Sequence, residues 1–245
     1  MKIELVSLHE GLKGRYRLNT VAEIINNSCS DLVAFCGRTL IYEHDVLELK
    51  RIIRNTYSSV IFEVSHIKES NYVKLDNGLF VIENGQIRNL FSSQLFSTSK
   101  EIEKNEILCE RFINELETRR SLKVKNKTIL IIQCGVLNVI RSNLLKDNQA
   151  FFRHCQRVDL QDRFDKILKN TDIVINPIHT PFRRPMLNKK EYLSTDNIYY
   201  FSVSQNGERK MDADSLQYAY HNKVKLKENS IAITDDYQIR IFEIE

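Results

Sequence analysis

Glycine and proline are scarce here, with seven and three among 245 residues. Neither G-x-G-x-x-G nor a P-loop pattern occurs, which excludes a glycine-rich phosphate cradle. The five cysteines are odd in number and form no C-x-x-C pair. That excludes a complete disulfide framework and the usual zinc spacings, and predicts free thiols in a reducing cytoplasm. No metal and no cofactor is expected. No run approaches the ~18 apolar residues of a membrane span. Charge inside the N-terminal run MKIELVSLHEG argues against a signal peptide. A dense basic face is also missing. Net charge is +4, and the runs Arg119-Arg120 to Lys127, Arg183-Arg184 and Lys223-Lys225-Lys227 are short and scattered. They read as solvated faces, so a nucleic-acid partner is not expected.

What is present is an ordinary globular composition, 42% hydrophobic and 28% charged, able to bury a sizeable core. Lys2–Leu8 alternates like a first strand. Leu18, Val21 and Ile25 mark a helix face, and Asp31–Phe35 a short apolar strand ending at Cys36-Gly37-Arg38. Val46, Leu49 and Ile53 mark a second helix with acidic residues at its start, and Ser59–Val64 a third strand. Two strand-like runs, Leu79–Ile82 and Gln86–Leu90, flank Glu83-Asn84-Gly85, a strong hairpin signal. A charged segment, Ser97–Asn105, precedes a helix on Leu108, Phe112 and Leu116.

The most informative stretch is TILIIQCGVLNVIR, Thr128–Arg141. A buried strand stops at Gln133-Cys134-Gly135, and helical spacing follows at Leu137, Ile140 and Leu144. This places a thiol at the carboxyl edge of a sheet, where open α/β folds put ligands. Leu160, Phe164, Ile167 and Leu168 form another helix face. Asp172–Asn176 is a strand ending at Pro177, Ile198–Ser204 a further strand, and Ser230–Ile244 a closing hairpin around Asp235-Asp236. The order predicts an α/β chain with mixed sheets in one layered domain, residues 1–245.

These motifs, in this order, resemble the nitrilase (carbon–nitrogen hydrolase) superfamily. Asp31–Gly37 reads DLVAFCG, similar to the family's strand into Phe-Pro-Glu. Asn77–Phe96 reads NGLFVIENGQIRNLFSSQLF, matching the middle motif at Asn77, Val81, Ile82, Gly85, Ile87 and Leu95. Ile129–Arg141 resembles the cysteine motif, and TDIVINPIH at Thr171–His179 the Asn-Pro-Ser motif. The resemblance implies a four-layer α-β-β-α sandwich, pairing through helical faces as a homodimer, and a Glu-Lys-Cys triad. The triad is degenerate. Gly37 stands at the Glu position and Ser92 at the Lys position. Cys134 takes the nucleophile position after a one-residue shift, and strict alignment places Gln133 there instead.

The leading expectation is therefore a cytoplasmic nitrilase-like domain acting as a binding or assembly module with itself or another protein. Such domains also occur beside reverse transcriptases in bacterial antiviral systems, a role that suits a degenerate copy. The alternatives are an active amidase and an unrelated α/β binding domain. In the amidase, Cys134 attacks and His179 or Glu63 takes its proton. Candidate substrate contacts are Arg38, Ser92, Gln133 and Asn176. Each has a plainer reading: Cys134 as a buried small residue, His179 and Arg38 as loop polar groups, Glu63 as an outward strand carboxylate.

Overall fold

The computed structural model describes residues 1–69, 73–91, 94–143, 149–179, 187–207 and 213–245. The expected opening holds: strand β1 (Lys2–Leu8), helix α1 (Gly14–Asn27), β2 (Leu32–Phe35), a short β3 (Leu40–Tyr42), α2 (Glu43–Ile52) and β4 (Ser59–Glu69). β5 (Val73–Glu83) and β6 (Gln86–Phe91) form the predicted hairpin. Asn84 and Gly85 both have positive φ, 52° and 72°, as a two-residue primed turn requires. The charged segment contains a short helix, α3 (Ser99–Glu103), started by a capping box between Thr98 and Glu101. Helix α4 (Glu106–Thr118) follows, then the hairpin β7 (Ser121–Val124) and β8 (Lys127–Ile131).

Two expectations are corrected. Beyond Cys134 the chain makes only a 3-10 turn, Gly135–Val139, and then strand β9 (Ile140–Asn143), paired with β10 (Gln149–Phe152). Val136, Val139 and Ile140 are β-branched, which disfavours a longer helix and suits a strand; Leu144 lies outside the described residues. After α5 (Val158–Lys169), strand β11 (Ile173–Ile178) runs through Pro177 instead of ending there. Pairing with β8 stops at Ile175, so the missing proline N–H faces no strand on that side. The chain closes with α6 (Leu187–Leu193), β12 (Tyr199–Ser204), α7 (Ala213–Leu216), β13 (Gln217–His221), β14 (Val224–Lys225), β15 (Ser230–Ile233) and β16 (Tyr237–Glu243).

Two large mixed sheets result, beside the two-stranded β9–β10 ribbon. One has the order β15-β16-β1-β2-β4-β5-β6, with β3 alongside β4; the other is β14-β13-β12-β11-β8-β7. Alternation along β8 shows how they stack. Ile129 and Ile131 join the apolar core shared with β1 and β2, whereas Leu130 and Ile132 join a second core with Phe112, Leu116 and Phe164 of α4 and α5. β11 repeats this with Ile173 and Ile175 against Val174. The second sheet is therefore covered by the first sheet on one face and by helices on the other. Leu18, Val21 and Leu49 cover the far face of the first sheet. These are the four layers α-β-β-α. Gln217 stitches the two sheets, donating to Leu5 O at 3.2 Å, Ser7 Oγ at 3.0 Å and Gln238 O at 2.8 Å. Among the described residues no helix is long and apolar enough to cross a membrane.

Helix α6 carries two buried ammonium groups into the outer core. Lys190 Nζ lies 2.9 Å from the Tyr218 ring centroid. Burial lowers Lys190 to about 7, helped by the Lys225 charge, and lowers Lys189 to about 8, helped by Arg153. The sign of the linkage follows. Below pH 7 both states are charged and the burial cost is complete. Above it the folded state loses protons before the unfolded state, whose lysines titrate near about 10.4. Stability is expected to rise between pH 7 and 10, by about 1 kcal/mol or more. Urea unfolding midpoints across that range test this, and Lys190→Met should flatten the rise. A midpoint that does not move with pH refutes it.

Candidate functional site

β2, β8 and β11 are central strands of the two sheets, and their carboxyl ends meet across the sandwich. The Gly37 N–H after β2 donates to Ile178 O at the end of β11, 3.0 Å away. Arg17 holds the loop after β2 in place. Its buried guanidinium donates to Thr39 O and Arg38 O, both at 2.7 Å. Arg38 takes a positive φ of 58° there.

Glu63 sits at the centre of this end. Ala34 pairs with Ile61, so Glu63 on β4 stands two residues further, beside the Cys36-Gly37 turn. Its carboxylate is fully buried and engaged on both oxygens. Oε1 accepts from Gln133 Nε2 at 2.9 Å. Oε2 is 2.8 Å from His179 Nε2 and accepts from the Arg38 N–H at 3.3 Å. The Glu63 N–H is anchored on Thr39 Oγ1 at 3.3 Å.

Gln133 connects this carboxylate to a buried arginine. Arg120 Nη1 donates to Gln133 Oε1 at 3.1 Å, while Nε and Nη2 grip Glu115 Oε2 at 3.1 and 2.9 Å. The guanidinium lies over Phe112, 5.3 Å from the ring centroid. Burial lowers Arg120 to about 10, opposed by the charges of Glu115 and Glu63. A donor on one side and an acceptor on the other leave one orientation for the Gln133 amide. The chain Glu115–Arg120–Gln133–Glu63–His179 thus crosses the second sheet from the helix layer to the strand ends.

His179 follows β11, and its ring fills the space over Gly37. A Cβ on Gly37 would overlap the ring, lying 2.9 Å from Nε2 and also 2.9 Å from the Ile178 carbonyl carbon. A carboxylate acceptor fixes the ring proton on Nε2. The His179 backbone N–H lies near the Cys134 sulfur and favours its thiolate form. Burial pushes the Cys134 thiol up, and the Glu63 charge adds to this; the His179 N–H and the Arg38 and Lys189 charges oppose it. Among the described residues, the sulfur has no hydrogen bond to a carboxylate or a ring nitrogen. The 94–97 segment passes over the next residue, where a Cβ on Gly135 would fall 2.5 Å from Phe96 O.

No protein-family model matches the chain, and no curated protein matches it in sequence. Solved structures do. NitN amidase from Nesterenkonia sp. AN1 is 9% identical with a TM-score of 0.60, covering 100% of this chain and 93% of its own. A CN-hydrolase superfamily protein from Xanthomonas campestris is 13% identical with a TM-score of 0.54, covering 99% and 90%. A glutamine-dependent NAD(+) synthetase from Cytophaga hutchinsonii is 9% identical with a TM-score of 0.57; this chain spans 42% of its length. The fold is that of the carbon–nitrogen hydrolases.

Within the carbon–nitrogen hydrolase fold, the residues read from the sequence separate into groups. Glu63, His179, Gln133 and Cys134 come together. Arg38 contributes its N–H to Glu63 and its charge to Cys134, while its side chain is exposed. Asn176 is buried, and its amide is occupied by Ile132 O and by the Tyr200 hydroxyl at 2.8 Å. Ser92 and the pair Arg183-Arg184 lie outside the described residues. Sequence reading missed Arg120, Arg17 and Lys189. Lys189 Nζ donates to Asn138 Oδ1 at 3.1 Å, on the turn that follows Cys134. The available signal for Arg120 was weak: an arginine just before the apolar residues of a hairpin.

Proposed function

We propose that this chain is a binding and assembly module on the carbon–nitrogen hydrolase fold, with a cysteine that does not turn over amides. The observation that carries the reading is the state of Glu63. Its carboxylate is committed to Gln133, His179 and the Arg38 N–H, and the His179 ring occupies the space above Gly37. A general base must hold a lone pair within reach of the proton it takes. A buried thiol with a raised pKa stays protonated at neutral pH and is a poor nucleophile. The chain then acts in the cytoplasm through its surfaces, as a homo-oligomer or with a protein partner, a role compatible with a defence system.

Reagents that react with variants of the Nesterenkonia enzyme supply the test. Variants of that amidase with a substituted glutamate carry covalent adducts of acrylamide and of the fluoroacetamide acetamide moiety at the active-site cysteine, and a cysteine-to-alanine variant binds butyramide. For this chain, native mass spectrometry after fluoroacetamide treatment should show no adduct at Cys134. Ammonia release from butyramide should equal the buffer blank. A Cys134 adduct together with turnover abolished by Cys134→Ala would overturn the proposal.

One observation favours a second reading. The His179 ring meets Glu63 at 2.8 Å while its backbone N–H lies near the Cys134 sulfur, so thiol, imidazole and carboxylate share one end of the sheets. If they work as a rewired triad, Glu63→Gln should lower kcat and leave KM nearly unchanged.

A further inference from the structure

A cation taken out of water needs a carboxylate or a full set of acceptors, because desolvating the charge is costly. Three buried guanidiniums here follow that rule. Arg120 has Glu115, Arg240 has Asp214 at 2.8 Å, and Arg17 places its N–H groups on four backbone carbonyls. A cluster just beyond Cys134 does not. Two cations from different elements converge on Asn138, in the turn that follows Cys134. Lys189 Nζ, from α6, donates to Asn138 Oδ1 at 3.1 Å and to Leu137 O at 3.4 Å. Arg153 Nε, just past β10, donates to Asn138 O at 2.7 Å. A third cation is close. Arg141 on β9 pairs with Phe151, and the Arg153 N–H donates to Val139 O, so the two arginines are diagonal neighbours on the ribbon. Lys189 is 5% exposed and the Arg153 side chain 9%. Among the described residues, one carboxylate reaches the cluster: Glu103, half exposed and 3.9 Å from Arg153 Nη1. The like charges bear on one another. Burial lowers Arg153 and the Arg141 charge adds to this, with Glu103 opposing; burial and the Arg153 charge lower Lys189.

We infer that Lys189, Arg153 and Arg141 form an anion site beside Cys134, and that it takes a phosphate-class dianion. Three cations against one distant carboxylate leave a surplus of two positive charges. A phosphoryl group, at about −1.5 to −2 near neutral pH, cancels that surplus, and a single carboxylate does not. Donors are also left over. The third Lys189 proton and Arg153 Nη2 have no hydrogen-bond acceptor among the described residues, and exposed Arg141 opens the cluster to solvent. Guanidinium forks match phosphate oxygens in pairs, and an ammonium adds a point charge. The frame is set before any ligand arrives: Asn188 Nδ2 of α6 donates to Ser142 Oγ of β9 at 3.0 Å, beside the Lys189–Asn138 contact. Binding then costs little ordering of side chains. The inference rests on the binding part of the reading above, to which it gives a ligand class, and asks nothing of the Cys134 thiol.

Titration of the full chain with inorganic phosphate tests it, followed by calorimetry and by melting temperature. Ionic strength is held constant with sodium chloride, so that general screening does not change. One saturable site is expected, with a Kd of about 1 mM or tighter, and a melting temperature that rises with occupancy. Acetate should bind at least about tenfold more weakly than phosphate. Arg141→Met, at an exposed position where folding is not at stake, and Arg153→Met should each weaken phosphate at least about tenfold. Lys123→Met, at an exposed lysine on β7, should leave phosphate binding unchanged. Without phosphate, Arg153→Met should melt no lower than the parent, because a buried like charge has gone. A lower melting temperature with unchanged phosphate affinity would make Arg153 a structural strut and overturn the site. So would equal affinity in the parent and Arg141→Met, or the lack of both heat and melting shift up to about 10 mM phosphate. Acetate binding tighter than phosphate would overturn the phosphate assignment and give the site to a carboxylate ligand. None of these readouts depends on the fluoroacetamide result, so failure here and failure of the reading above are told apart.

Discussion

Arg120→Ala is expected to destabilise the fold by about 3–5 kcal/mol, the cost of breaking a buried ion pair from one side. The guanidinium is fully buried and serves three groups at once: Glu115, Gln133 and the Phe112 face. Its removal leaves the partly buried Glu115 carboxylate without its cation and Gln133 Oε1 without this donor. It also empties a volume that alanine cannot fill. The effect should spread to the strand ends. Gln133, freed to rotate, no longer presents Nε2 to Glu63, so Cys134 should label faster with iodoacetamide under conditions where the variant is still folded. Arg120→Met should lose less stability than Arg120→Ala, since an apolar side chain of similar length keeps the packing over Phe112. Urea denaturation of the three proteins checks this. A loss below about 1 kcal/mol for Arg120→Ala would mean the network adds nothing beyond an ordinary surface pair.

The second large effect is expected at Gly37. A single methyl group there meets the His179 ring and the Ile178 backbone, so Gly37→Ala should cost about 3 kcal/mol by overpacking. His179→Ala alone should cost about 1–3 kcal/mol, because the buried Glu63 carboxylate loses a partner. The double variant should be more stable than the sum of the two losses by about 1 kcal/mol or more, since the ring that clashes has gone. Rescue stays incomplete, because the Ile178 carbonyl carbon remains in place. Additive losses would mean that the ring moves aside at no cost and does not own the space over Gly37. The same geometry bears on the Gly37→Glu change that would restore the resembled family's carboxylate: its Cβ cannot enter while His179 is seated.

Much of the architecture was legible because its signals are local. Alternation in Lys2–Leu8, helical spacing at Leu18, Val21 and Ile25, and Asn84-Gly85 between apolar runs each declare an element without reference to the rest of the chain. The errors are equally local. Leu137, Ile140 and Leu144 have helical spacing, yet the pairing of Ile140 with Phe152 draws that segment into a strand. Pro177 looked like a stop, yet β8 ends early enough to tolerate it.

The site was legible as residue types at strand ends and not as an arrangement. Cys134, His179 and Glu63 stand out along the chain because each ends or punctuates an apolar run. That His179 Nε2 meets Glu63 across 116 positions, over a glycine at position 37, depends on how two sheets stack. Arg120 offers a stronger case. On paper it belongs to a basic run that reads as a solvated face, and in the fold it is fully buried. By itself the sequence determined the element order, the amphipathic faces and the scarcity of flexible turns, since these follow from side-chain periodicity and backbone preference. Only the tertiary structure decided which polar groups share the low-dielectric interior. A buried carboxylate keeps company with whatever donors the packing brings within 3 Å, and sequence spacing carries no record of that distance.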